Sequence, residues 1–291
     1  MAAIAQVLQG HEKDIGFTVR RLLPAARQRS VGPFVFLDHM GPAHFESGTT
    51  EGDVRPHPHI GLGTVTYLFS GAMIHRDSLG FVQRIEPGAV NWMSAGRGVV
   101  HSERLPEDVR ASGQAVEGIQ MWIALPAALE DSEPLFRHTP AANLPVWERD
   151  GARVRLLIGE WNGAHSPVDI PSETFYATAD LAAEAAIDLP DAVVERALYC
   201  VAGVVEVEGQ RVEAGSLAVF EIGAHVRVSA VEAARVMLLG GAPLDGPRHI
   251  WWNFVASDRS RIERAAVDWE AGHFPNVPGE TERIPAPPLN R

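Results

Sequence analysis

Two histidines one residue apart, His57 and His59, stand inside Arg55-Pro-His-Pro-His-Ile60. On extended backbone, residues i and i+2 project from the same face, about 6–7 Å apart at a rise of about 3.3 Å per residue. Two imidazoles so placed can take adjacent positions on one metal ion. Pro56 and Pro58 fix φ and keep the preceding residues extended, and without N–H groups they put the segment at a sheet edge or strand start. The same spacing recurs at His101-Ser-Glu103, after the glycine-rich turn Ala95-Gly-Arg-Gly98. If the two strands are neighbours, His57, His59, His101 and Glu103 converge on one point. Three imidazoles and a carboxylate suit Fe(II), Mn(II), Ni(II) or Zn(II), not thiolate-preferring Cu(I). On an octahedral ion such a set leaves two positions for water, O2 or a substrate oxygen. His-x-His alone is a weak signal, and Glu103 has an ordinary alternative as a surface ion pair with Arg97 or Arg104. It is the recurrence of the spacing that favours a metal site.

Other chemistries find less support. Ser102 beside His101 does not make a hydrolase pair, because neighbouring strand residues face opposite sides. GxSxG, HExxH and GxxxxGK[ST] are absent, and Gly61-Leu-Gly63 lacks the third glycine of a dinucleotide-binding turn. The single cysteine, Cys200, excludes an intramolecular disulfide and any CxxC motif. Of the twelve histidines, His11, His138, His165 and His273 lie in polar or proline-bounded segments and read as surface or loop residues. His39, His44 and His75 adjoin strand-like runs and read as hydrogen-bonded core or supporting residues.

The elements that must position the pairs are strands. Runs of four to six residues rich in Val, Thr, Tyr, Phe and Trp are punctuated by turns: Thr64–Phe69, Phe81–Ile85 and Val90–Met93, then Leu198–Ala202, Val204–Val207, Ser216–Glu221 and Arg235–Leu239. Such spacing predicts an all-β barrel or sandwich. Tyr67–Gly71 aligns with Tyr199–Gly203, and Gly88 to Gly96 matches Gly215 to Gly223, so two similar halves are expected. That register puts Leu189 and Asp191 where the first half has His57 and His59, and Val228 and Ala230 for His101 and Glu103. One metal per chain follows. The predicted division is 1–139, carrying the metal, and 140–291, which adds a short helix capped by Ser257 and a proline-rich extended tail. The helix should bury Ile262, Ala265, Ala266 and Trp269.

The chain has 291 residues, 46% apolar and 21% charged, with formal charge −12 and no block of like charge beyond a few residues. That is a folded globular composition and argues against a nucleic-acid backbone binder. No run approaches the roughly 18 apolar residues of a membrane helix, and the first thirty residues lack a signal pattern, so a cytoplasmic location is expected.

The motifs Pro33-Phe-Val-Phe-Leu-Asp-His-Met-Gly-Pro42, Arg55-Pro-His-Pro-His59, Thr64-Val-Thr-Tyr-Leu68, His75-Arg-Asp77 and Asn91-Trp-Met-Ser-Ala-Gly-Arg-Gly98 running into His101-Ser-Glu103 resemble the pirins, a branch of the bicupins. The resemblance covers most of the first 125 residues; the second half is similar in general character. It implies two tandem cupin barrels of the double-stranded β-helix (jelly-roll) type, and a three-histidine, one-glutamate metal pattern falling on His57, His59, His101 and Glu103. It also implies a non-haem iron, quercetin 2,3-dioxygenase activity and, in eukaryotic members, transcription-factor partners. Many relatives read His-Pro-His-Arg-Gly-Phe-Glu, where this chain has Ile60 and Gly63; the carboxylate must then come from Glu103, and the surroundings become less basic.

The favoured function is an oxygenase taking O2 and a flavonol or related chelating phenol, with Glu103 accepting the hydroxyl proton. The alternative is a redox-responsive interaction protein whose metal state is read by a protein partner. A metal-free sugar- or ligand-binding barrel would require both histidine pairs to be coincidental.

Overall fold

The computed structural model describes residues 3–289, built mainly from antiparallel strands joined by turns. Contacts divide the chain into two units: 1–13, 20–38 and 142–243, and 14–19, 39–141 and 244–291.

In the unit holding 142–243, a seven-stranded sheet runs in the order Ile4–Gln9, Ser216–Phe220, Glu195–Ala202, Ala234–Gly241, Thr174–Leu181, Ala152–Ile158, Val146–Arg149. A four-stranded sheet has the order Ala186–Asp188, Arg227–Ala230, Val204–Val207, Gln210–Glu213. Inward residues alternate along these strands and form a continuous apolar core that includes Leu198, Val205, Val228 and Leu238.

The other unit repeats the plan. Its four-stranded sheet is Val54–His59, Val99–Arg104, Met73–Asp77, Val82–Ile85, and four further strands lie in the order Leu135–Thr139, Val90–Ser94, Leu62–Ser70, Val116–Ala124. The two cupin barrels expected from the sequence are present, and the strand-like runs fall within observed strands apart from an end residue or two.

The repeat differs from expectation in one register. Val228 pairs with Ile187, as His101 pairs with His57. Ile187, not Leu189, therefore stands at the His57 position, and Leu189 takes the His59 position; a two-residue length difference separates the halves before the Tyr67/Tyr199 match. All three are buried and apolar, as is Ala230.

Helix Arg259–Glu270 forms and buries Ile262, Ala265, Ala266 and Trp269, the spacing of one helical face. Its cap is Asp258, whose carboxylate accepts from the Ser260 N–H at 2.9 Å. Ser257 is engaged elsewhere, donating its N–H and hydroxyl to buried Glu130 at 2.7 and 2.9 Å. The helix and tail belong to the unit of His39–Ala141, not to the half that precedes them in sequence. The physical reason is that the helix face packs on Ile60, Val100 and Phe254.

The tail then crosses the two strands that carry His57, His59, His101 and Glu103. Ile284 donates its N–H to Pro56 O at 2.8 Å. Glu280 accepts from Ser102 Oγ at 2.8 Å and from Arg104 Nε at 3.1 Å. Because hydrogen bonds to charged groups contribute about 1.5–3 kcal/mol each, Glu280→Ala should lower stability by about that amount in a urea titration. An unchanged midpoint would show that the tail does not hold these strands.

Candidate metal centre

Strand Val54–His59 runs antiparallel to Val99–Arg104 with His101 opposite His57. Alternation puts His57 and His59 on one face and Pro58 and Ile60 on the other. One nitrogen each from His57, His59 and His101 falls within 4.8 Å of the others, and all three side chains are buried. His59 Nε2 lies 3.1 Å from His101 Nε2, and the His57 and His101 rings are 4.4 Å apart.

Backbone carbonyls orient two of the rings. His57 Nδ1 donates to Arg55 O at 2.9 Å, and His59 Nδ1 donates to Asn253 O at 3.0 Å. Each Nδ1–H is thereby fixed, leaving the Nε2 lone pair free for a cation, as is usual for metal-binding histidines. Asn253 follows Trp252, a left-handed residue at φ 52° in the turn between strands His249–Trp251 and Phe254–Ala256. That turn is pinned by the Val255 N–H donating to Ile60 O.

The donor chemistry fits a divalent ion. Ligands at right angles on an ion about 2.1 Å from each nitrogen are about 3.0 Å apart, close to the His59–His101 separation. Burial drives all three imidazoles toward the neutral, lone-pair form: His57 is lowered to about 4, and His59 and His101 lie well below their ordinary value.

Glu103 stands outside the three-histidine cluster. A register shift places Val54 opposite Glu103, but the extra residue lies in the neighbouring strand between Val54 and His57. His101 to Arg104 pair without a break with Asp77 to Ile74, so Glu103 keeps the face of His101. Neither candidate arginine takes it: Arg97 pairs with Glu133, and Arg104 with Glu280 and Asp53. Among the described residues its carboxylate has no hydrogen bond or ion pair, and burial pushes its pKa up to about 7.

Two departures from the common motif have packing explanations. Ile60 belongs to the apolar cluster with Phe254 and the C-terminal helix, on the face away from the imidazoles, so this position does not set the charge around the histidines. Gly63 leaves room for Trp92: a Cβ there would meet the indole Cη2 at 2.0 Å.

The remaining histidines divide as their surroundings dictate. His39 is buried against Glu117 at 3.2 Å, whereas His44 is exposed and bonds Gly113 O at 2.8 Å. The contribution of Asn253 had no signal in the sequence, since a backbone carbonyl carries no residue-type signature. His75 lies against His101, Nδ1 to Nδ1 at 3.3 Å.

These groups predict a pH effect on the metal-free protein. An imidazole held neutral to about 4 in the fold protonates near 6.5 in the unfolded chain, so its stabilising contribution is present above 6.5 and lost as pH falls toward 4. Glu103 works oppositely, stabilising below its ordinary 4.5 and losing that contribution as pH rises through about 7. Three imidazoles outweigh one carboxylate. Chelator-treated protein should lose stability from pH 7 to pH 5, less steeply in His57→Gln; equal slopes in urea titrations would contradict the assigned burial.

The sequence profile described as Pirin matches residues 16–123, and that described as Pirin C-terminal cupin domain matches residues 176–275. A "Pirin-like protein" of Caulobacter vibrioides is 49% identical over 271 residues, covering 92% of this chain and 93% of the relative. The crystal structure of a quercetin 2,3-dioxygenase from Acinetobacter baumannii superposes with TM-score 0.90 at 33% identity, covering 98% of this chain and 95% of that one. A second quercetin 2,3-dioxygenase structure from the same organism gives TM-score 0.88 at 26% identity, with coverages of 94% and 98%.

Proposed function

The chain belongs to the pirin family, and from that premise we propose that it is a metal-dependent dioxygenase acting on quercetin-like flavonols or related chelating phenols. The observation that carries this reading is the convergence of three buried imidazoles, each aiming a nitrogen at one point. His57, His59 and His101 would hold the ion and Glu103 would complete the set, with Fe(II) the first candidate and Mn(II), Ni(II) and Zn(II) the others. Such an ion supplies Lewis acidity toward adjacent hydroxyl and keto oxygens and, where redox-active, electron transfer toward O2.

The chain's own groups do the rest. The carbonyls of Arg55 and Asn253 hold the His57 and His59 rings in place. Trp122 meets the His59 ring edge to face at 5.3 Å and helps keep water from that side. Glu103, whose pKa burial pushes up to about 7 in the ion-free chain, would accept the proton of a phenolic hydroxyl through an oxygen that the ion leaves free. Fixed donors with a base on the neighbouring strand would supply orientation to two small reactants.

The test is O2 uptake with quercetin by protein loaded in turn with Fe(II), Mn(II) or Ni(II). Metal-dependent consumption with at least one ion is expected. No consumption with any of them, at full metal occupancy, would reject the oxygenase and leave a redox-responsive partner-binding role.

A further inference from the structure

We propose that Asp77 and His75 form, with His101, a hydrogen-bonded chain that orients the third imidazole and raises its electron-donating power toward the ion. This inference rests on the metal reading above and adds to it two positioning residues. Strand Met73–Asp77 lies antiparallel to Val99–Arg104, with Asp77 opposite His101 and His75 opposite Glu103. Asp77 is fully buried. Its Oδ1 accepts the N–H groups of Leu79 and Phe81 at 2.9 and 3.1 Å, and its Oδ2 lies 2.9 Å from His75 Nε2. His75 Nδ1 in turn lies 3.3 Å from His101 Nδ1.

The proton positions follow from what each atom can do. An ionised carboxylate only accepts, so His75 Nε2 carries the hydrogen and donates to Asp77. In a neutral imidazole the other nitrogen, His75 Nδ1, is then an acceptor. The hydrogen between the two rings must belong to His101 Nδ1, which leaves the His101 Nε2 lone pair facing His59 Nε2. Phe136 stacks on His75 with ring centres 4.3 Å apart and planes 13° from parallel, holding the intermediate ring in position.

This arrangement sets His101 apart from its companions. His57 and His59 donate to neutral carbonyls, whereas His101 donates into an imidazole backed by an anion. Hydrogen bonds involving an ionised group are roughly twice as strong as neutral ones, and polarisation passes along such chains. His101 is therefore the strongest donor of the three, and the chain favours the more highly charged state of a redox-active ion.

Two experiments separate this proposal from the metal reading. Nitrogen-15 correlation spectra of metal-free protein should show His101 protonated at Nδ1 and His75 at Nε2; the opposite tautomer at either ring overturns the chain. In metal-loaded protein, Asp77→Asn and His75→Phe should weaken Ni(II) affinity about 10–100-fold by chelator competition, the usual cost of an outer partner. They should also raise the Fe(III)/Fe(II) potential and change the ferric electron paramagnetic resonance spectrum. A tenfold loss of preference for Fe(III) over Fe(II) corresponds to about 59 mV. His75→Gln, which can accept from His101 and donate to Asp77, should recover affinity more fully than His75→Phe and guards against simple misfolding. Potentials and spectra equal to wild type in all three variants would refute the tuning role. A wild type that binds no ion would instead defeat the metal reading, visible in its stoichiometry and not in the tautomers.

Discussion

Replacing His101 with alanine is expected to reduce bound metal from about one ion per chain to background and to abolish metal-dependent O2 uptake. His101 contributes a donor nitrogen 3.1 Å from that of His59 and is the contact through which His75 reaches the cluster. On the proposed reading its removal takes away a direct ligand and strands its supporting residue. The loss of affinity should therefore exceed the 10–100-fold typical of an outer partner alone. The fold should survive, because the deleted ring is a desolvated polar group and the strand's pairing on both sides is made by backbone. His273→Ala, at an exposed histidine paired with Asp268, is the control and should retain its ion. Elemental analysis of tag-free protein, with far-ultraviolet circular dichroism as the check on folding, measures both. Equal metal content in the two variants would remove His101 from the site.

The second large effect is on stability. Gly63→Glu puts a carboxylate where the resemblance to the pirins leads one to expect it, and it is expected to destabilise the protein by at least about 3 kcal/mol instead of adding a ligand. Gly63 pairs with Ser94, and Trp92 pairs with Val65 on the same two strands, so the indole lies diagonally across from Gly63. Three indole atoms would stand 2.0, 2.2 and 2.8 Å from an added Cβ, and Trp92 is buried with little room to turn. Overpacking alone costs about 1–3 kcal/mol, and a carboxylate without a partner in that core adds a further desolvation cost. A double-mutant cycle isolates the cause: Gly63→Ala should be costly beside Trp92 and should lose most of its cost in a Trp92→Leu background. Additive costs in urea titrations would show that some other contact is responsible.

Strand positions were legible because period-two alternation and glycine-proline punctuation are local signals. The helix face was equally so, since Ile262, Ala265, Ala266 and Trp269 carry the helical period themselves. What escaped the sequence was long-range or conformational. Asp258 and Ser257 are both good capping residues, and only the buried Glu130 that takes Ser257 decides between them. The tail's destination depends on where an apolar helix face finds its complement, here Ile60, Val100 and Phe254. The bulge between Val54 and His57 is a property of pairing, invisible in Arg55-Pro-His-Pro-His59 itself, and Glu103 stands outside the three-histidine cluster although it shares the face of His101. Isoleucine and glycine at positions 60 and 63 looked like losses from the site; in three dimensions each answers to a neighbour in the core.

X-ray absorption at the metal edge of tag-free, ion-loaded protein interrogates the coordination itself. The spectrum should fit a single environment with three imidazoles and one carboxylate at about 2.0–2.2 Å and one ion per chain. Fewer than three imidazoles around the ion, or an ion lost on simple dialysis, would contradict it.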